Sequence, residues 1–231
     1  MLPHAVAQST MDEPKIDKLK TIYLFSGLGA DYRIFQQLEL PGYHLVHVRW
    51  ERPDADETMA QYAARIKAQI TTENPIFIGV SFGGMMAIEM SKLMPTEKIV
   101  LISSAKTKNE LAANGNFFIK YGVYKFIPGS ILQQSNFVVN NLFGADTKED
   151  KDILAQILAD TDVRFFRWAM NSMRHWDNET IPQNLIHIHG TDDKIIPIKN
   201  LKSDYEIQGG GHFMVLNKAT EISTIILNYL R

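Results

Sequence analysis

The stretch that decides the fold is Pro75-Ile76-Phe77-Ile78-Gly79-Val80, running directly into Ser81-Phe82-Gly83-Gly84-Met85-Met86-Ala87-Ile88-Glu89-Met90. Its first half is an unbroken apolar run, the signature of a strand covered on both faces at the centre of a parallel sheet. Its second half, from Phe82 to about Leu93, reads as a helix. At the junction lies Gly79-Val80-Ser81-Phe82-Gly83, a G-x-S-x-G pattern on a strand-to-helix turn. A serine on so sharp a turn is held in a strained backbone conformation that lifts its hydroxyl clear of the sheet. Glycine is required on either side because a side chain there would collide with the neighbouring strand or helix. The simpler alternative is an ordinary turn with an N-capping serine. The strand before it and the helix after it favour a nucleophile.

Moving outward, strand-like and helix-like segments alternate, the pattern of a parallel sheet with crossover helices. Thr21 to Phe25 is β-rich and ends in the turn Ser26-Gly27-Leu28-Gly29. Asp31 to Leu38 reads as a short helix and Tyr43 to Trp50 as a strand. Thr58 to Ile70 carries Met59, Tyr62, Ala63, Ile66 and Ile70 at helical spacing, and Lys98 to Ile102 is the next strand. Between Ala105 and Ile181 only helical signals occur, including a start at Thr147 and the periodic Val163, Phe166, Met170 and Met173. Strands resume at Leu185 to His189 and at Ser203 to Ile207, and a helix from about Lys218 to Leu230 closes the chain. The reading is an N-terminal tail over 1–20, an α/β core over 21–104 and 181–231, and an inserted helical cap over 105–180.

Composition narrows the function. The chain has 231 residues with 24 Lys plus Arg against 26 Asp plus Glu, a net charge of −2. With no basic excess, sequence-independent nucleic-acid binding is disfavoured. Cysteine is absent, which excludes a disulfide scaffold, a thiolate nucleophile and a cysteine metal site. There is no metal-ligand spacing of His, Asp and Glu and no phosphate-cradling G-x-x-x-x-G-K, so neither a metal nor another cofactor is expected. No apolar run reaches the roughly 18 residues of a membrane helix. Met1 to Asp12 lacks the basic start and apolar centre of a signal peptide, and the expected location is cytoplasmic.

A serine hydroxyl is a weak nucleophile and needs a base. His212, in Gly209-Gly210-Gly211-His212-Phe213, lies between the last strand and the last helix, where glycines let the backbone bring an imidazole close to another group. The other six histidines read as solvated, as strand residues or as helix caps. An orienting carboxylate is offered by His189-Gly190-Thr191-Asp192-Asp193, directly after a strand and therefore at the carboxyl edge of the sheet. An Asp-rich turn serving only backbone hydrogen bonds is the bland alternative. Serine, acid and histidine in that order, after three successive strand ends, point to catalysis.

On these residues the chain resembles the α/β-hydrolase family, from about Thr21 to the C-terminus apart from the insertion, which corresponds to the family's variable cap. The resemblance implies Ser81 as nucleophile and His212 as base. The family's G-x-x-D-x-x-V-P pattern, here Gly190-Thr191-Asp192-Asp193-Lys194-Ile195-Ile196-Pro197, implies Asp193 as the acid. Its oxyanion loop corresponds to Ser26-Gly27-Leu28-Gly29, implying backbone N–H donors at Leu28 and Phe82. Many members carry His-Gly where this chain has Ser26-Gly27, which leaves Gly29 as the alternative to Leu28. The usual leading hairpin is missing, so the expected sheet is minimal, about six strands, all parallel.

The insertion holds eleven of the chain's aromatic residues, among them Phe117, Tyr121, Phe137, Phe143, Phe165 and Trp168. Most are expected to form the core of the cap, and some to line an apolar pocket above Ser81. The expected function is a serine hydrolase, foremost a carboxylesterase cleaving a small ester with an apolar part through an acyl-enzyme. The alternatives are a thioesterase or a C–C bond hydrolase or lyase on the same triad, or a ligand-binding protein that keeps the fold without turnover.

Overall fold

The computed structural model describes residues 19–113 and 127–231. Six strands, β1 (Lys20–Phe25), β2 (Tyr43–His47), β3 (Ile76–Val80), β4 (Lys98–Ile102), β5 (Leu185–Gly190) and β6 (Tyr205–Ile207), form one sheet in the order β2-β1-β3-β4-β5-β6. Every pairing is parallel. The sheet is the minimal α/β-hydrolase arrangement anticipated from the sequence. Strand order reverses between β1 and β3, which opens a crevice at their carboxyl ends, where ligands bind in open α/β sheets.

The apolar run of β3 is explained by its neighbours. All five of its residues are buried, because apolar layers cover both faces of the sheet. On one face Tyr23, Phe25, Phe77, Ile99 and Leu101 pack with Tyr62 and Ile66 of the helix Met59–Ile66 and with Met85 and Ile88 of the helix Phe82–Ser91. On the other, Ile22, Leu24, Ile78, Val80 and Val100 meet Ile222 and Ile226 of the C-terminal helix Ala219–Leu230. The helix Met59–Ile66 starts where Thr58 and Gln61 cap each other's backbone amides.

Local differences from the sequence reading are small and have physical causes. Asp31 to Leu38 forms only the single 3-10 turn Tyr32–Phe35, with Asp31 as its cap; Pro41 disfavours a helical conformation at Leu40 and the chain leaves the helix early. The last strand is shorter than Ser203 to Ile207, as befits a sheet edge. Between β4 and β5 the described residues are helical or irregular, with helices Lys108–Ala113, Phe137–Phe143, Lys148–Asp160 and Val163–Arg174. Phe165, Trp168 and Trp176 are buried, but in the cluster they share with Tyr62, Phe77 and Phe82 against the sheet and not in a separate core of their own, whereas Phe137 is 84% exposed. Phe117, Phe118, Tyr121, Tyr124 and Phe126 lie outside the described residues, as does the tail up to residue 18. No helix among the described residues is long and apolar enough to cross a membrane.

Candidate active site

Ser81 sits at the sharp turn between β3 and the helix Phe82–Ser91 with φ 54° and ψ −121°, a conformation that disfavours non-glycine residues. It does not cap the helix: its side chain makes no hydrogen bond to the helix N-terminus. The strain is held by backbone bonds, with the Ser81 amide donating to Ile102 O at 2.9 Å and Ser104 Oγ donating to Ser81 O at 2.7 Å. Glycine on both sides is a packing requirement. A Cβ at Gly79 would lie 2.4 Å from the Gly83 carbonyl oxygen, and one at Gly83 would lie 2.1 Å from the Phe25 carbonyl oxygen. The close contact of strand and helix needed to expose the serine therefore fixes the G-x-S-x-G spelling.

His212 comes to Ser81 from 131 residues away, its Nε2 3.0 Å from Ser81 Oγ. Its Nδ1 lies 2.8 Å from Asp193 Oδ2. A carboxylate oxygen only accepts, so Nδ1 carries the proton and Nε2 is left to accept from the serine hydroxyl. Asp193 is buried, and its other oxygen, Oδ1, accepts from the Ile195 and Ile196 amides at 2.9 and 2.8 Å. Burial opposes ionisation of this carboxyl, but the adjoining His212 ring outweighs it, with help from His189 and the Ile196 amide, and holds it below the usual carboxylate range. Asp192 is exposed, and among the described residues its carboxylate accepts from the Thr191 hydroxyl at 3.1 Å. The acid and histidine loops are stapled together: Asp192 N donates to Gly210 O at 3.0 Å, and a Cβ on Gly190 would lie 2.1 Å from that same oxygen.

The loop after β1 passes beside the serine, where a Cβ on Gly27 would lie 3.6 Å from Ser81 Cβ. It is braced by Ser26 Oγ donating to Ala30 O at 2.8 Å and by Ala30 N donating to Gly27 O at 3.0 Å. Phe82 opens its helix, where a backbone N–H has no intrahelical acceptor, and Leu28 lies on the loop facing it. The structure thus brings together Ser81, Asp193 and His212 with the segments that carry Leu28 and Phe82.

Further contacts around the site join segments distant in the chain, and one joins close neighbours on a strand. Thr161 Oγ1 lies 3.1 Å from Gly29 O and 2.9 Å from Ile157 O, so its single hydrogen is shared between the loop after β1 and the preceding helical turn. Phe143 O accepts from Phe213 N at 2.8 Å, and the Phe143 ring stands edge-on to His212 with centroids 5.9 Å apart. Behind Asp193, His187 and His189 form a fully buried pair on β5. Their i, i+2 spacing puts both on one face of the strand, a signal readable in the sequence.

No known family's sequence profile matches the chain, and no curated protein matches it by sequence. Solved structures do. An esterase (EaEST) from Exiguobacterium antarcticum is 17% identical at a TM-score of 0.68, covering 91% of both chains. A bromoperoxidase from Bacillus anthracis is 16% identical at 0.68, covering 92% of both. A meta-cleavage product hydrolase from Pseudomonas fluorescens IP01 is 14% identical at 0.62, over 91% of this chain and 90% of that one. The chain has the α/β-hydrolase fold.

Proposed function

We propose that the protein is a serine hydrolase that cleaves small carboxylic esters bearing an apolar part. The observation that carries this reading is the unbroken hydrogen-bonded line from Ser81 Oγ through His212 to the buried Asp193 carboxylate. In attack, His212 Nε2 takes the Ser81 proton as the Oγ–carbon bond forms and the carbonyl electrons move onto oxygen. The Leu28 and Phe82 amides are assigned to that oxyanion. When the tetrahedral species collapses, the imidazolium returns the proton to the departing alkoxide and leaves an acyl-enzyme. A water deprotonated by the same nitrogen then releases the acid and restores Ser81.

The substrate class rests on the aromatic cluster that adjoins the serine through Phe82. Trp50 lies 5.5 Å from Phe82 and stacks on Phe165 at 5.7 Å, centroid to centroid, with Tyr62 and Trp168 behind them. Such walls favour an apolar acyl or alcohol group and exclude water from the developing charge. The helical stretch between β4 and β5 is assigned the role of a cap, since it supplies Phe165 and Trp168 and touches the loops of both His212 and Leu28. Several solved structures of similar fold bear the name esterase, consistent with this choice. Treatment with a fluorophosphonate probe tests the reading: rapid covalent labelling, abolished in Ser81→Ala, supports it. A chain that stays unlabelled and turns over no ester in a p-nitrophenyl panel is a binding protein instead.

A further inference from the structure

Two histidines on β5 have no part in the proton transfers above, yet they are among the most deeply buried polar side chains described. His187 and His189 are both 0% exposed and alternate with Ile186 and Ile188, which serve the opposite face of the strand. Burying two imidazoles is costly unless their nitrogens find partners. His189 Nε2 lies 2.8 Å from the Ile196 carbonyl oxygen. That oxygen only accepts, so Nε2 carries a proton. Burial pushes the pKa of His189 below its ordinary value, against the pull of Asp193, and leaves the ring neutral with a bare Nδ1. His187 Nε2, 3.1 Å from that Nδ1, is then the donor. His187 in turn is driven well below the ordinary value by burial, with His189 and Lys106 acting in the same sense, and is neutral too.

The destination of this chain of bonds matters. The Ile196 carbonyl that His189 holds belongs to the residue whose amide donates to Asp193 Oδ1 at 2.8 Å. The His189 Nε2–H is also 3.4 Å from Asp193 Oδ2, the oxygen that faces His212. One N–H therefore anchors the turn that grips one carboxylate oxygen, and the ring that carries it lies beside the other. We propose that His189, kept in its Nε2–H form by His187, is a positioning residue that fixes the rotation of the Asp193 carboxylate toward His212. The proposal rests on the serine-hydrolase reading. The charged and titratable groups acting on the pair are Asp193, His212, Glu110 and Lys106. Of these, Asp193 is the one in direct reach of His189.

The test compares His189→Leu, which fills the space without a donor, with His189→Gln, whose amide nitrogen reaches close to the Nε2 position. Fluorophosphonate labelling of the unaltered protein comes first. If Ser81 is not labelled, the hydrolase reading fails and with it the setting for this one. If Ser81 is labelled, His189→Leu is expected to lower kcat/KM about 10²-fold, the scale of an ångström-sized misplacement, through kcat more than KM. The acid limb of its pH profile moves to lower pH, because an imidazolium without a well-aimed carboxylate forms less readily. Loss of folded protein alone would leave that limb in place. His189→Gln is expected to recover at least about tenfold of the loss and to return the limb. Should His189→Leu fail to fold, His189→Gln against His189→Asn carries the comparison, since the asparagine amide stops one carbon short of the Ile196 carbonyl. A folded variant lacking the donor, with unchanged kcat/KM and an unmoved acid limb, overturns the proposal.

Discussion

Asp192 and Asp193 are chemically identical neighbours, and the structure gives them opposite weights. In Asp193→Asn the amide oxygen stays at the Oδ1 position, because the Ile195 and Ile196 amides already donate there. The NH2 group is then forced into the Oδ2 position, 2.8 Å from His212 Nδ1 and 3.4 Å from His189 Nε2. A donor would then face the Nδ1–H of His212. His212 relieves the conflict by moving the proton to Nε2, the nitrogen 3.0 Å from Ser81 Oγ that must accept the serine proton. The wrong tautomer costs about 10⁴-fold in kcat in the serine-protease template, and we expect at least about 10³-fold here. Asp192→Asn removes a carboxylate that is exposed and, among the described residues, bonded to the Thr191 hydroxyl alone, and should cost less than about tenfold. The assay is steady-state hydrolysis of a short p-nitrophenyl ester by both variants, with circular dichroism to confirm that each is folded. Loss of activity in Asp192→Asn with Asp193→Asn left active would refute the assignment of the acid.

Three other outcomes follow from the same geometry. His187 and His189 are held neutral by burial, so between the unfolded histidine pKa of about 6.5 and their depressed folded values the unfolded chain binds protons that the folded one does not. Their contribution is therefore complete above about pH 6.5 and declines as pH falls, by up to about 1 kcal/mol per pH unit for each; a urea midpoint unchanged between pH 7.5 and 5 would refute it. Thr161→Val keeps the shape but removes the hydroxyl whose one hydrogen is shared between Gly29 O at 3.1 Å and Ile157 O at 2.9 Å, and should lower kcat about tenfold through a loosened loop after β1, the proposed oxyanion segment, while KM stays within about twofold. A fall in KM-dependent terms alone would contradict that role. Finally, the aromatic walls around Phe82 and Phe165 suit p-nitrophenyl esters of about four to eight acyl carbons, and a clear optimum near sixteen carbons in a chain-length series would rule such a pocket out.

What was legible in the sequence was whatever local sterics spell out. The order of strands and helices, the strand β3 and the turn at Ser81 were readable because a doubly buried strand must be apolar and because Gly79 and Gly83 face backbone atoms at under 3 Å. The preference for Asp193 over Asp192 came from the resemblance, through its spacing from Gly190, a glycine that its approach to Gly210 O requires. Contacts between distant segments were not. Thr161 and Gly29 are separated by 132 residues, and nothing in the sequence around either names the other. The exposure of Phe137 was equally hidden, since an aromatic residue at helical spacing carries no mark of which face finds a partner. The histidine pair lay between these cases. Its i, i+2 spacing placed both rings on one face, but only the fold shows that this face lies behind the acid.

The helix Lys148–Asp160 gives the stretch between β4 and β5 its bearing on the chemistry. Just before it, Phe143 O accepts from Phe213 N, and Asn217 Nδ2 donates to Gly144 O at 2.9 Å, so its entry is fastened to the histidine loop and the turn that follows. Its start is fixed by Thr147 and Asp150, which cap each other's amides, and Leu154 and Ile157 bury its inner face. Just beyond its end, Thr161 meets Gly29, and Asp160 pairs with Arg33 at 2.8 Å, which fastens its exit to the loop after β1. The Asp160 pair is exposed and contributes little by itself. The buried Thr161 hydroxyl and the side-chain packing against Gly29 carry the weight at that end. One helix thus spans the loop of His212 and the loop after β1, the two segments to which the proposed base and oxyanion donors are assigned. An α-helix transmits displacement along its axis with little give, so loosening either end loosens the spacing between base and oxyanion loop. That coupling gives a role to a helical segment far from the serine in sequence yet bonded at both ends to the loops that flank it in space.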